Sequence, residues 1–218
     1  MKTIILVQAR MSSTRLPGKV MKLIKGEPMI GVLLERLKKV KNADQIIVST
    51  STDEKNDVLV EYLNYKKIPF FRGSEEDVLD RYYRSAIKFN GEIIVRITAD
   101  CPLVDPVLIT DLINFARKSK KDYCSNIIPP TYPDGQDIEV FTFKALKKSW
   151  EEATLRSDRE HVTTFIRKNS TYQKKSKFTS KNFPNISDFS HVRMTVDEPE
   201  DFDCIGILVN SLGIDKSW

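Results

Sequence analysis

The sequence predicts a three-layer α/β domain, with a mostly parallel β-sheet and helices on both faces. Two observations carry this reading. Short apolar runs alternate with longer amphipathic stretches through the first half of the chain, and several of those stretches open on residues that cap helices. Strands apolar throughout belong in a sheet covered on both faces, and a strand–helix rhythm makes such a sheet parallel.

The first strand is expected over 3–7, a short apolar run. A helix over 29–40 follows, with Ile30, Leu33, Leu34, Leu37 and Val40 at helical spacing among lysines and arginines. A second strand over 45–49 leads to a helix over 53–65, with Thr52 or Asp53 as N-cap. A third strand over 68–71 precedes a helix over 77–89, and a fourth strand spans 91–97. Asp105-Pro106 then starts another helix in cap and first-turn positions. Beyond Asp122 the segment YCSNIIPPTYPDGQDIEVFTF is rich in proline, glycine and β-branched residues. It predicts a strand, a turn-rich excursion and a returning strand over 138–141. A helix over 143–153, a polar strand-plus-loop over 174–188, and a last strand, turn and helix from HVRMTVDEPEDF complete the chain.

With 218 residues and 40% hydrophobic content, the chain can bury a sizeable core as one domain, 1–218, carrying an inserted region at about 123–142. The net charge of +5 is spread among acids and speaks for solubility. The basic run Lys174, Lys175, Lys177 and Lys181 has no interleaved aromatics and no reader motif, so no nucleic-acid partner is expected. Cys101, Cys124 and Cys204 are an odd, widely spaced set that suits a reducing compartment, and no Cys/His cluster has zinc spacing. No run is long enough for a membrane span, so a cytoplasmic location is expected.

The segment QARMSSTRLPGK follows the first strand. In open α/β sheets ligands bind beyond the carboxyl ends of strands. Arg10, Arg15 and Lys19 bring three cations into one loop, and Ala9, Ser12 and Ser13 offer backbone N–H groups. Such a cluster repels itself unless an anion is present, so a phosphate site is expected. Neither GxxxxGK[ST] nor GxGxxG occurs, which removes the common ATPase and dinucleotide readings.

Asp100, in ADCPLVDP, stands where the fourth strand runs out. RMTVDEPEDF repeats that pattern around Asp197. Two carboxylates at two strand ends of one sheet can converge on one Mg²⁺, which takes oxygen ligands and keeps several waters. Asp105 and Asp201 read as helix caps.

QARMSSTRLPGKVM, ADCPLVDP, DREHVT and RMTVDEPEDF, in that order, resemble the sugar cytidylyltransferases. The similarity is to the branch of spore coat polysaccharide biosynthesis protein F, and more distantly to the 3-deoxy-manno-octulosonate and acylneuraminate enzymes. The resemblance implies a nucleotide-diphospho-sugar transferase (Rossmann-like) fold, a homodimer, and transfer of a cytidylyl group from CTP to a sugar or sugar acid for surface polysaccharide. It implies that Arg10, Arg15 and Lys19 hold the triphosphate and that Asp100 and Asp197 bind Mg²⁺. The base and ribose are expected near Thr50, Ser51, Asp53, Arg72 and Gly73, beyond the second and third strands. Gly135, Asp137, Glu139, Arg159 and His161 are expected at the sugar. An SGTD-type segment carried by those relatives is missing here. A glycosyltransferase of the same fold remains an alternative, although ADCP lacks the second acid of a DxD motif. A silent nucleotide-binding regulator is the other alternative.

Overall fold

The computed structural model describes residues 1–217. The chain opens with β1 (Thr3–Gln8), then a loop, a 3-10 turn (Lys19–Met21), and a hairpin of β2 (Leu23–Ile24) and β3 (Glu27–Pro28) leading into α1 (Met29–Leu37). Next come β4 (Gln45–Ser51), α2 (Asp57–Tyr65), β5 (Phe70–Gly73), α3 (Val78–Lys88), β6 (Ile93–Thr98) and α4 (Pro106–Ser119). β7 (Tyr123–Ser125), β8 (Glu139–Thr142) and α5 (Phe143–Glu152) follow, then α6 (Arg156–Glu160), α7 (Thr164–Lys168), β9 (Ser180–Asn182) and α8 (Pro199–Leu212).

Among the described residues, seven strands form the main sheet in the order β5-β4-β1-β6-β8-β7-β9. β5, β4, β1 and β6 run parallel; β8 is antiparallel to both β6 and β7, and β9 is parallel to β7. Ile5 and Val7 of β1 face the core under α1, α2, α4 and α8, while Ile4 and Leu6 face the core under α3 and α5. All four are fully buried, so the strand reads as an unbroken apolar run. Asp105 accepts from the Val107 N–H to cap α4, and Asp201 joins Glu198 in a capping box at α8.

The chain leaves β1 toward β4 on one side and leaves β6 toward β7 on the other. β1 and β6 are therefore the point where the strand order turns round, and they end level, Gln8 beside Thr98. A crevice opens at such a point.

One element departs from expectation. The segment before Asp197 is not a strand of the sheet. It is extended chain with a single bridge, Arg193 to Asp134. Its backbone donors are taken by loop carbonyls instead: Met194 N–H by Asp134, and Val196 N–H by Asp100 at 2.8 Å. Gly135, at φ 105, makes this crossing possible, because a Cβ there would lie 2.6 Å from the Met194 carbonyl carbon. Asp197 thus reaches the crevice by crossing the loop after β6, not by ending a neighbouring strand.

Candidate active site

The loop after β1 starts as a continuation of the ladder, with the Ala9 N–H donating to Ser49 O. Met11 is its pivot. Its N–H donates to Asn56 Oδ1 at 2.9 Å, and its carbonyl accepts from the N–H groups of Ser13 and Gly18. Gly18 sits at φ 68, a left-handed conformation suited to glycine, and turns Lys19 inward.

Lys19 is the meeting point of the site. Its Nζ donates to Val196 O at 2.6 Å and to Asp197 Oδ1 at 3.2 Å, and lies 3.8 Å from Asp100 Oδ2. The Arg15 guanidinium also reaches Asp197 Oδ1 at 2.9 Å. Partial burial pushes the Asp197 carboxyl up, but the Lys19 ammonium, with Arg193 and Arg15, outweighs this and holds it below the usual range. Arg15, Lys19, Asp100 and Asp197 border a cleft of about 370 Å³ that is also lined by Arg10, Ser12 and Ser13. Ala9 also lines it, but its N–H is used in the ladder to Ser49.

The donor chemistry of Asp100 and Asp197 fits Mg²⁺. Both offer hard oxygens, and both already converge on one cationic position, the Lys19 ammonium. No cluster of three or more metal-type ligands occurs among the described residues, so phosphate oxygens and water would complete the shell.

A second group of acids lies beside them. Arg193 donates to Asp201 through two nitrogens, to Asp197 Oδ2 at 3.0 Å, and to Asp134 at 2.8 Å. Asp201 is held well below the usual carboxylate range by that guanidinium and by two backbone N–H groups. Solvent reaches Asp137, yet the surrounding protein and the charges of Asp134, Glu139 and Asp100 push its carboxyl up to about 6. Cys101, beside Asp100, is buried, and burial together with the Asp100 charge pushes its thiol well up. That removes the thiolate nucleophile.

Several of the residues expected at the base and sugar have partners within the protein. Thr50 and Ser51 are fully buried in β4. Ser51 Oγ accepts from Asn56 Nδ2, and Asp53 caps the 3-10 turn that follows. Arg72 is spent on Ser51 O, Asp53 O and Asp57, and Gly73 continues the ladder beside Ser51. Arg159 pairs with Asp77 at 2.7 Å and donates to the carbonyls of Trp150 and Ala153. Glu139 is buried against Arg96. His161 lines the cleft, and Gly135 serves the crossing of the chain.

Three residues not singled out from the sequence shape the site. Arg96 lines the cleft, and Arg193 gathers the acids. Glu75 accepts from Ser12 Oγ and from Arg10 Nη1 at 3.2 Å, holding the loop from the far side. Burial pushes the Glu75 carboxyl up, but the Ser12, Ser51 and Arg10 contacts bring it below its ordinary value. All three hide in ordinary charge patterns of a strand, a helix start and a loop.

The family model described as cytidylyltransferase matches residues 4–211. A cytidylyltransferase structure from Leptospira borgpetersenii superposes with a TM-score of 0.92 at 33% identity, covering 100% of this chain and 90% of that one. The uncharacterized protein MJ1063 of Methanocaldococcus jannaschii is 40% identical over 204 residues, 93% of this chain and 81% of that protein. Spore coat polysaccharide biosynthesis protein SpsF of Bacillus subtilis is 29% identical over 218 residues, 95% of this chain and 86% of that protein.

Proposed function

This chain belongs to the cytidylyltransferase family, and from that premise we propose that it transfers a cytidylyl group from CTP to a sugar acid for polysaccharide biosynthesis, using the cleft between β1 and β6 with Mg²⁺. The observation that carries the site assignment is the convergence of Asp100 and Asp197 on Lys19, beside Arg10 and Arg15.

In this reading an acceptor hydroxyl oxygen bonds to the α-phosphorus as the bridge to the β-phosphate breaks and pyrophosphate leaves. Negative charge grows on the bridging and equatorial oxygens. Lys19 and Arg15 are assigned to the departing pyrophosphate, and Arg10 to the α- and β-phosphates. Arginine grips such oxygens with a planar fork, and aimed cations are worth about 3 kcal/mol each in such a site. Asp100 and Asp197 would hold Mg²⁺, which neutralises phosphate charge and fixes its orientation when bound. In the free protein each cation of the loop is paired: Arg10 with Glu75, Arg15 with Asp197 and Glu198, Lys19 with Asp197 and Asp100. A bound triphosphate would take over those pairings.

The three free cysteines suit a reducing cytoplasm, and no helix among the described residues is long and apolar enough to cross a membrane. The reading includes a homodimer built through the inserted strand region, which light scattering after size exclusion tests. The test of activity is pyrophosphate release with Mg²⁺, a panel of sugar acids, and each of the four ribonucleoside triphosphates. Release with CTP and an acid is expected. Release of a nucleoside mono- or diphosphate from a nucleotide-sugar, with no pyrophosphate from any triphosphate, would favour the glycosyltransferase, and CTP binding with no release from any acid would favour the silent regulator.

A further inference from the structure

We propose that Glu139 is a positioning residue, whose one buried carboxylate sets two side chains of the cleft wall, Arg96 and His161. The proposal rests on reading the cleft as the cytidylyl-transfer site, and it assigns Glu139 a role without ligand contact.

Glu139 opens β8 directly opposite Arg96 of β6, so the two side chains share a face of the sheet. It is 2% exposed and out of reach of a ligand. It accepts from Arg96 Nη1 at 2.5 Å, from the Tyr123 hydroxyl at 2.5 Å, and from Thr163 Oγ1 at 2.6 Å. Burial pushes the carboxyl up, but the Arg96 charge, then Arg167 and the two hydroxyls, hold it below its ordinary value. Three separate parts of the chain therefore hang on one anion: β6, β7, and the turn between α6 and α7.

The first arm reaches the cleft through Arg96. Glu139 fixes one end of the guanidinium. The other end points toward Gln8 Oε1 at 3.4 Å, and both Arg96 and Gln8 line the cleft. The second arm runs through Thr163. The preceding residue, Val162, is fully buried at φ 55. A β-branched residue in the left-handed region is strained and persists only when its surroundings hold it there. Here both sides are held. Arg159 is pinned to Asp77 and to two carbonyls before the turn, and Thr163 is pinned to Glu139 after it. His161 lies between these anchors and is the one residue of the turn that lines the cleft. An ordinary buried ion pair explains the Arg96 contact alone. It does not explain why the strained turn carrying His161 is tied to the same carboxylate.

The test uses the full chain and its two histidines, His161 and His191. Their ring Cε1–H NMR signals are assigned with His161→Gln. Glu139→Gln leaves the Arg96 guanidinium beside a neutral amide and risks the fold, and Thr163 Oγ1 also lies 3.5 Å from His161 O. Thr163→Val is therefore paired with Tyr123→Phe, which removes a Glu139 hydrogen bond without touching the turn, with Thr163→Ser as the conservative control. Thr163→Val and Tyr123→Phe are each expected to move the His161 signal and leave the His191 signal unchanged, and a His161 signal that moves in Thr163→Val but not in Tyr123→Phe overturns the proposal. Thr163→Ser is expected to restore the wild-type signal. A His161 signal that stays put in Thr163→Val, or that moves together with His191, overturns the proposal. Failure of wild-type protein to bind CTP defeats the cytidylyl-transfer reading instead, a result independent of the His161 signal.

Discussion

Lys19 and Asp197, 178 positions apart in sequence, meet with Nζ 3.2 Å from Oδ1 in the cleft wall. The contact exists because Gly18 turns Lys19 inward while the chain before Asp197 crosses the loop after β6 that carries Asp100. Asp197 also keeps Arg15 and Arg193 as partners, so its charge does not depend on Lys19 alone.

Lys19→Met is therefore expected to fold and to fail in chemistry. Loss of one preorganised charge in a transition-state site lowers turnover by about 10²–10³-fold. Pyrophosphate release and a thermal melt on the same sample check this. An unchanged rate removes Lys19 from the mechanism.

Gly135→Ala tests the crossing. The backbone at φ 105 disfavours a side chain, and the new Cβ would press on the main chain of Met194 and Thr195. Neither main-chain neighbour can swing aside, so a loss of roughly 2–4 kcal/mol is expected in a urea titration. Because the displaced segment leads to Asp197, Mg²⁺-dependent CTP binding should weaken as well.

Asp137 gives stability a dependence on pH. Its carboxyl is raised from 3.8 to about 6 in the folded protein. Between those values the folded state holds a proton that the unfolded chain has lost, so this residue's contribution falls as pH rises through the window. Asp137→Asn should be more stable than wild type above pH ~7 and equal to it below pH ~4. Two units correspond to a ceiling near ~3 kcal/mol, and solvent access to the side chain reduces the expected gain to about 1 kcal/mol. Chemical denaturation at several pH values measures it, and a gain that persists at low pH contradicts the assignment.

The parallel half of the sheet is legible in the sequence because its central strands carry buried apolar runs and α4 starts on a visible cap, whereas α1 and α2 begin without a side-chain cap. β4 and β6 read as apolar runs, and Asp105-Pro106 marks α4 before any contact is known. The cationic loop is equally visible in the sequence, and the structure brings Arg10, Arg15 and Lys19 to one cleft, each beside a carboxylate. The segment before Asp197 misleads for a physical reason. Val192, Met194 and Val196 alternate as in a strand, yet what lies beside them is loop carbonyl rather than a ladder. Periodicity records which side chains are buried and not which backbone accepts their N–H groups. Asp137 and Glu139 show the same limit. Two residues apart, they suggest one face of a strand, but β8 begins only at Glu139, whose partner is Arg96 across the sheet. Arg193 and Glu75 carry no local sign at all, because their importance lies in distant carboxylates and in Arg10.

The measurement that bears most directly on the shared site is calorimetric titration of CTP into wild-type protein and into the Asp100→Asn/Asp197→Asn double variant, each with and without Mg²⁺. Saturable binding that Mg²⁺ strengthens in wild type, with that strengthening lost in the double variant, is the predicted result. No CTP binding at millimolar concentration, or equal Mg²⁺ enhancement in both proteins, would contradict a cleft in which Asp100, Asp197 and Lys19 together hold the triphosphate.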